Sequence, residues 1–163
     1  IWPDAVLIVP GVSREADRLR RLMDEIYCPQ AFRLTGNRYT TPELLSIATA
    51  LLAPAIGDVP TGPVAWAMAA GVPVIGSAVP SIAELIADRF NGYLCRAAEP
   101  HTLAIRIRSV LESPQLREIA EVARGQAYDV FRASACIEQY TTAFQRLAAG
   151  QRAVEALRDT AQA

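Results

Sequence analysis

The order of short apolar runs and amphipathic stretches constrains this chain more than any other feature. An apolar, largely β-branched run over residues 5–9 is followed by a stretch, Ser13–Ile26, in which apolar residues recur at helical spacing. Further apolar runs at 31–35, 50–53 and 72–76 repeat this alternation. The first run is typical of a strand buried on both faces. Strands alternating with helices at this spacing predict an α/β fold, a Rossmann-like doubly wound parallel sheet with right-handed crossovers.

Local signals predict where the other elements begin and end. Thr41-Pro42-Glu43 supplies an N-cap, a first-turn proline and an early acid, and the buried positions of that helix are predicted to be Leu44, Leu45 and Ile47. Gly71 suits a left-handed cap for a helix over 64–70. The remaining predicted elements are a short helix at 81–87, a strand at 93–95, and helices at 101–111, 115–128 and 133–147. We expect residues 1–147 to form one domain and residues 148–163 to form a helical or disordered tail.

Composition excludes several classes of function. With 52% hydrophobic and 20% charged residues the chain is expected to fold around a core, and its net charge of -1 disfavours nucleic acid or an anionic membrane as partner. No apolar stretch approaches the roughly 20 residues of a membrane span. The three cysteines, Cys28, Cys95 and Cys136, lack metal-site spacing, and His101 is the only histidine. We therefore expect free thiols, no metal centre, a cytoplasmic location, and His101 at a helix start without catalytic duty.

The loop after the third strand carries the clearest chemical signal. Ligands of open α/β sheets bind beyond the carboxyl ends of the strands. Thr61-Gly62-Pro63 opens the next helix with a hydroxyl, a backbone that a ligand can approach, and a proline preset to helical geometry. Free amides at the positive end of a helix dipole suit a diphosphate. The alternatives left open are that this is only a well-capped helix and that nearby Asp58 is a solvated turn residue.

Four segments, in this order, resemble the family-4 retaining glycosyltransferases: Ala67–Ser77, Ile82–Ile86, Asn91–Leu94 and Ser113–Arg117. The resemblance covers about residues 4–147. It implies the C-terminal half of a GT-B fold, in which two Rossmann-like domains face each other across a cleft and the C-terminal one holds the sugar nucleotide. The implied reaction transfers a sugar from a nucleotide donor to a hydroxyl acceptor with retention of configuration. The nucleotide sugar is then a substrate, and no metal ion or other cofactor is implied.

The family places two glutamates eight residues apart, with a glycine-rich turn and a proline between them. Asp58 stands at the first, which contacts the transferred sugar, and Trp66 stands at the second, which binds the ribose hydroxyls. An indole has only an N–H donor and cannot accept hydrogen bonds from hydroxyls. Pro60 and Pro63 remove two amides from the phosphate cradle. Glu84 matches a glutamate that borders the donor pocket. The resemblance thus implies the catalytic residues Asp58 and Glu84 and the donor-binding residues Thr61, Gly62, Trp66, Gly76 and Ser77.

The family's C-terminal domain begins with a further strand and helix that have no counterpart here. In the expected strand order that strand is central, so we expect unpaired strand edges and apolar surface on Val6, Ile8 and Leu51. An upstream segment of a longer chain, or strand exchange with a second copy in a homo-oligomer, would cover them. The other implied partner is the N-terminal GT-B domain of that longer chain.

There are two alternative classes of function. Substitution of both glutamates favours a non-catalytic relative kept for binding or assembly, in which Trp66 fills the ribose pocket or supports a partner surface. A Rossmann oxidoreductase is disfavoured, because no GxGxxG turn follows the first strand.

Overall fold

The computed structural model describes residues 5–11, 15–25 and 31–149, and the chain separates into two compact units, residues 1–47 and 48–163. The first unit contains β1 (Leu7–Pro10), α1 (Ala16–Glu25), β2 (Phe32–Gly36) and α2 (Thr41–Leu45). β1 and β2 pair in parallel, with Leu7 opposite Phe32. The predicted helix ends at Ser13 and Ile26 lie outside the described residues.

The second unit carries a three-stranded parallel sheet in the order β3–β4–β5. Its elements are β3 (Leu51–Ala53), α3 (Gly62–Ala69), β4 (Val74–Ser77), α4 (Pro80–Ala83), β5 (Tyr93–Cys95), α5 (Pro100–Leu111), α6 (Leu116–Phe131) and α7 (Ala133–Ala148). All strand pairings in both units are parallel, which confirms the predicted α/β class. The predicted order of elements is confirmed as well, and most boundaries differ by one to four residues.

The core of the second unit lies around β4, all four residues of which are buried. Ile75 packs with Tyr93 of β5, Val110 of α5 and Ile119 of α6. Gly71 has a φ of 69°, so the predicted left-handed cap after α3 is confirmed.

The prediction that the first strand is buried on both faces is wrong. Val6 is 50% exposed and Leu7 of β1 is 39% exposed. Among the described residues, β1 pairs with β2 alone, and α1 contributes no buried side chain. The first strand therefore has too little packed against it within its own unit to be enclosed.

The predicted N-cap of α2 is off by one residue, because Thr40 and not Thr41 caps the helix. Thr40 and Glu43 form a capping box: the Glu43 amide donates to Thr40 Oγ1 at 3.4 Å, and the Thr40 amide donates to Glu43 Oε2 at 2.7 Å. The pKa of Glu43 is lowered by the hydrogen bonds that the Thr40 amide and the Thr40 hydroxyl donate to its Oε2, each at 2.7 Å. The helix ends at Leu45, so Ile47, which was predicted to be buried, is instead 71% exposed.

The cysteines and His101 are the side chains that could take part in redox or metal chemistry. Cys95 and Cys136 are free thiols, whereas Cys28 lies outside the described residues. Burial raises the pKa of the Cys95 thiol. His101 lies in the first turn of α5, directly after Pro100, as predicted. Within the described ranges, no cluster of three or more His, Cys, Asp or Glu side chains could hold a metal ion.

No described helix has the length and hydropathy needed to cross a bilayer.

Candidate functional site

The loop between β3 and α3, residues 54–61, is called the site loop below. Three hydrogen bonds attach it to the last residue of β4 and to the first turn of α4. Deep in the unit, the Ala55 amide donates to Ser77 Oγ at 3.0 Å. Nearer the surface, the Val59 amide donates to Ser81 Oγ at 3.2 Å, and the Ser81 amide donates to Asp58 Oδ1 at 2.9 Å. The structure therefore brings together two of the loops in which the sequence predicted site residues.

Asp58 is one of the two predicted catalytic residues, and the structure gives it a local partner. Its Oδ1 accepts a hydrogen bond from the amide of Ser81, the second residue of α4. One carboxylate oxygen is therefore occupied in fixing the site loop to the start of that helix. Ser81, whose amide donates to Asp58 and whose hydroxyl accepts from the Val59 amide, was missed in the sequence prediction. The signal available was a serine at the start of a short helix, directly after Pro80, where a hydroxyl often bonds to nearby backbone.

Gly76 and Ser77 lie beneath the site loop and are both buried. A methyl group on Gly76 would lie 2.8 Å from Ile82 Cγ2, so this glycine allows the first turn of α4 to approach β4 closely. Ser77 uses its hydroxyl to hold Ala55, and the carbonyl of Gly76 accepts from Cys95 Sγ at 3.4 Å. Both predicted donor-binding residues therefore shape the base of the site loop through packing and hydrogen bonds.

The N-terminus of α3 is open to an anion. Thr61 is the N-cap, yet its side chain makes no capping hydrogen bond, and Pro63 has no amide hydrogen. The amides of Gly62 and Val64 have no acceptor within the helix, because the first turn of any α-helix leaves its donors unpaired. The helix dipole adds positive potential at this end. A phosphate group is a suitable ligand for such an arrangement.

Trp66 lies on the solvent side of α3 and is 52% exposed. Val64, Ala67 and Met68 form the buried side of the same helix. At 100° per residue Val64 and Met68 lie about 160° from Trp66 around the helix, and Ala67 lies about 100° from it. The indole is therefore not part of the core, and two residues of the site loop, Ile56 and Val59, are also exposed apolar side chains.

Glu84, the second predicted catalytic residue, is the exposed C-cap of α4. The neighbouring Asn91 has a structural part: its buried amide donates to Leu85 O at 2.9 Å and to Gln126 Oε1 at 2.6 Å. Its Oδ1 accepts from the Ala87 amide at 2.7 Å. Asn91 thus helps to fix the segment that follows Glu84, whereas Glu84 itself is exposed.

The first unit contains a cavity of about 600 Å³ between its sheet and α2. Its lining includes Ile8, Thr35, Arg38 and Tyr39, and none of the predicted site residues. Thr35 Oγ1 is buried without a hydrogen-bond partner among the described residues. No motif or spacing in the sequence indicates this cavity.

A family model described as "Glycosyl transferases group 1" matches residues 2–125. The chain belongs to the group 1 glycosyl transferases. It is 28% identical over 142 residues to N-acetyl-alpha-D-glucosaminyl L-malate synthase of Bacillus anthracis, a match that covers 86% of this chain and 37% of that protein. The resemblance recognised in the sequence is therefore confirmed.

Solved structures of glycosyltransferases share the fold. Anabaena Alr3699/HepE in complex with UDP matches with a TM-score of 0.81 at 22% identity, over 88% of this chain and 42% of that chain. The same Anabaena protein has also been solved with UDP-glucose. Sucrose-phosphate synthase of Thermosynechococcus elongatus matches with a TM-score of 0.77 at 22% identity, over 89% of this chain and 39% of that chain. The fold is thus that of GT-B glycosyltransferases, and this chain spans about two fifths of the length of these relatives.

Proposed function

We propose that this chain binds the nucleotide-sugar donor in a retaining glycosyltransferase that transfers the sugar to a hydroxyl group of an acceptor. The observation that carries the proposal is the open N-terminus of α3 at the end of a site loop held by three hydrogen bonds. Membership of the family and the UDP and UDP-glucose complexes of the Anabaena protein support a nucleotide sugar as the ligand. UDP and GDP are the two nucleotides to test.

Each site residue has a proposed part in donor binding. The backbone at Thr61 and Gly62 holds the diphosphate, and Trp66 borders the nucleoside. Gly76 and Ser77 form the floor of the site on the sugar side. Since Ser81 occupies Asp58 Oδ1, the other carboxylate oxygen of Asp58 is the one proposed to contact a sugar hydroxyl.

Glu84 borders the donor sugar in this proposal, because its exposed carboxylate follows the helix that Asp58 helps to fix. The acceptor and any general base come from an N-terminal GT-B domain, consistent with relatives more than twice as long as this chain. We propose a cytoplasmic enzyme whose C-terminal half corresponds to residues 1–147. The isolated chain is expected to bind donor and not to turn it over.

A non-catalytic binding domain is the second candidate function. It is favoured by two departures from the family pattern: Asp58 has a local hydrogen-bond partner, and Trp66 replaces a carboxylate. Such a domain would keep the fold and lose the nucleotide. The two candidates therefore differ in whether UDP or GDP binds at all.

The test uses two substitutions of Thr61 and calorimetric titration with UDP and GDP. Thr61→Asp places a carboxylate where it can accept from the free amides of α3 and repel the diphosphate. Thr61→Asn offers a neutral cap of nearly the same shape. We expect Thr61→Asp to weaken nucleotide binding by about ten- to hundredfold, the effect of losing about 1.5–3 kcal/mol of charge-assisted hydrogen bonding.

The matched Thr61→Asn variant should bind within a few fold of the unmodified chain. Thermal unfolding provides the folding control, because a side-chain cap should hold or raise the melting temperature. Equal binding by both variants would contradict a diphosphate site at α3. Absence of UDP and GDP binding to the unmodified chain would favour the non-catalytic candidate.

A further inference from the structure

The half-exposed indole of Trp66 is the largest apolar side chain that α3 presents to solvent. No other side chain of α3 offers a polar group to a ligand, because Gly62–Ala69 contains no charged, hydroxyl or carboxamide residue. Hydroxyl groups of a ligand would therefore find no side-chain acceptor along this helix. An aromatic or sugar ring would find a flat apolar surface.

The position of Trp66 relates it to the free amides at the start of α3. It is four residues after Gly62, which corresponds to roughly 6 Å along the helix axis. Helical side chains also lean toward the N-terminus, so the indole covers the turn that precedes its own Cα. A ligand anchored by its phosphates at Gly62 and Val64 would carry its next chemical group beside this ring.

We infer that Trp66 binds the nucleoside of the donor by stacking, and that the site consequently does not distinguish ribose from deoxyribose at this position. The inference rests on the proposed function, since it takes the diphosphate to lie at the N-terminus of α3. Stacking requires only a π-face or an apolar ring face on the ligand. Discrimination of a ribose hydroxyl would require an acceptor, which an indole lacks.

Fluorescence gives a direct measure of this contact. The chain contains two tryptophans, and Trp2→Phe leaves Trp66 as the only indole. This single-tryptophan chain is titrated with UDP, with 2′-deoxyuridine diphosphate and with inorganic diphosphate. We expect both nucleotides to change the emission of Trp66 with dissociation constants within about threefold of each other. Inorganic diphosphate should leave the emission unchanged at saturation.

Three substitutions, followed by calorimetry in the otherwise unmodified chain, separate stacking from packing. Trp66→Phe keeps an aromatic face and should retain most of the affinity. Trp66→Ala should weaken binding of both nucleotides by about tenfold, within the range found for single base–aromatic stacks. Trp66→Glu adds an acceptor and should create a preference for UDP over its deoxy analogue. Because the indole is half-exposed, melting temperatures should show all three variants folded.

The outcomes separate this inference from the proposed function. Preference of the unmodified chain for UDP over the deoxy analogue by tenfold or more would overturn the inference and leave the donor site in place. Unchanged affinity in folded Trp66→Ala would do the same. Failure of the unmodified chain to bind any nucleotide would overturn the proposed function and, with it, the inference.

Discussion

Two apolar, β-branched runs form strands in this protein, and they end in different environments. β4 is buried at every residue and is paired on both sides, by β3 and β5. β1 is half-buried or exposed and, within the described residues, is paired only by β2. The local pattern is nearly the same, so the number of strands and helices packed on each run makes the difference. An apolar run thus predicts a strand, whereas its burial depends on which partners are present.

The largest expected effect is on stability and comes from truncating one residue in each strand. Ile75→Ala removes a side chain with 0% exposure from the core of the second unit and should lower the free energy of unfolding by about 2–5 kcal/mol. Leu7→Ala, in β1, should cost less than half as much because that side chain already contacts water. Urea denaturation followed by circular dichroism measures both. Equal losses in the free energy of unfolding would show that β1 and β4 are equally well packed.

Adding a methyl group to Gly76 tests how tightly β4 packs against α4. The new Cβ would lie 2.8 Å from Ile82 Cγ2, so Gly76→Ala should cost about 1–3 kcal/mol through overpacking. Gly57→Ala is the matched control in the site loop, where a Cβ would meet nothing within 4 Å. Thermal unfolding should show a lower melting temperature for Gly76→Ala and little change for Gly57→Ala. A Gly76→Ala variant with an unchanged melting temperature would show that β4 and α4 leave room for an added methyl group.

A smaller effect is expected from the contacts between Asp58 and Ser81. Asp58→Ala removes the acceptor of the Ser81 amide, and Ser81→Ala removes the acceptor of the Val59 amide. Because both hydrogen bonds join the same two segments, the double variant should cost less than the sum of the two. The coupling energy should be about 0.5–1 kcal/mol, since both side chains lie near solvent. A double-mutant cycle by urea denaturation measures it. Strict additivity would mean that the two hydrogen bonds act independently, and unchanged stability of both single variants would mean that they do not hold the site loop.

The smallest effect concerns Glu43 in the first unit. Its pKa is lowered by hydrogen bonds from Thr40, so its contribution to stability is present at neutral pH and is lost as pH falls below the usual value of 4.5 toward the folded-state pKa. An NMR titration should show Glu43 titrating below 4.5 and moving toward 4.5 in Thr40→Ala. Titration of Glu43 at 4.5 in both chains would contradict the capping box.

The sequence predicted elements better than it predicted contacts between them. The strand Tyr93–Cys95 and the left-handed Gly71 follow from local chain preferences, and both are observed. The exposure of Ile47 was missed because helical periodicity continued past the point where α2 ends at Leu45. The pairing of Asp58 with Ser81 joins residues 23 positions apart and depends on how two loops meet, which periodicity does not encode.

In the candidate site, too, local features could be predicted from the sequence, whereas contacts between loops could not. Thr61-Gly62-Pro63 marked the helix start in the sequence, and α3 begins there without a side-chain cap. The family pattern identified Trp66 as a departure from a carboxylate, and the structure adds that its indole is half-exposed. The contacts that fix the site loop could not be predicted, because Ser77 and Ser81 reach it through tertiary hydrogen bonds.

The proposed donor site places the diphosphate of a nucleotide at the N-terminus of α3. The most direct measurement is a ¹H–¹⁵N NMR titration of the chain with UDP, following the backbone amides of Gly62 and Val64. We predict that both resonances shift downfield and saturate together with the binding curve, because each amide gains a phosphate oxygen as acceptor. Saturable UDP binding that leaves the Gly62 and Val64 amides unshifted would rule out a diphosphate site at the N-terminus of α3.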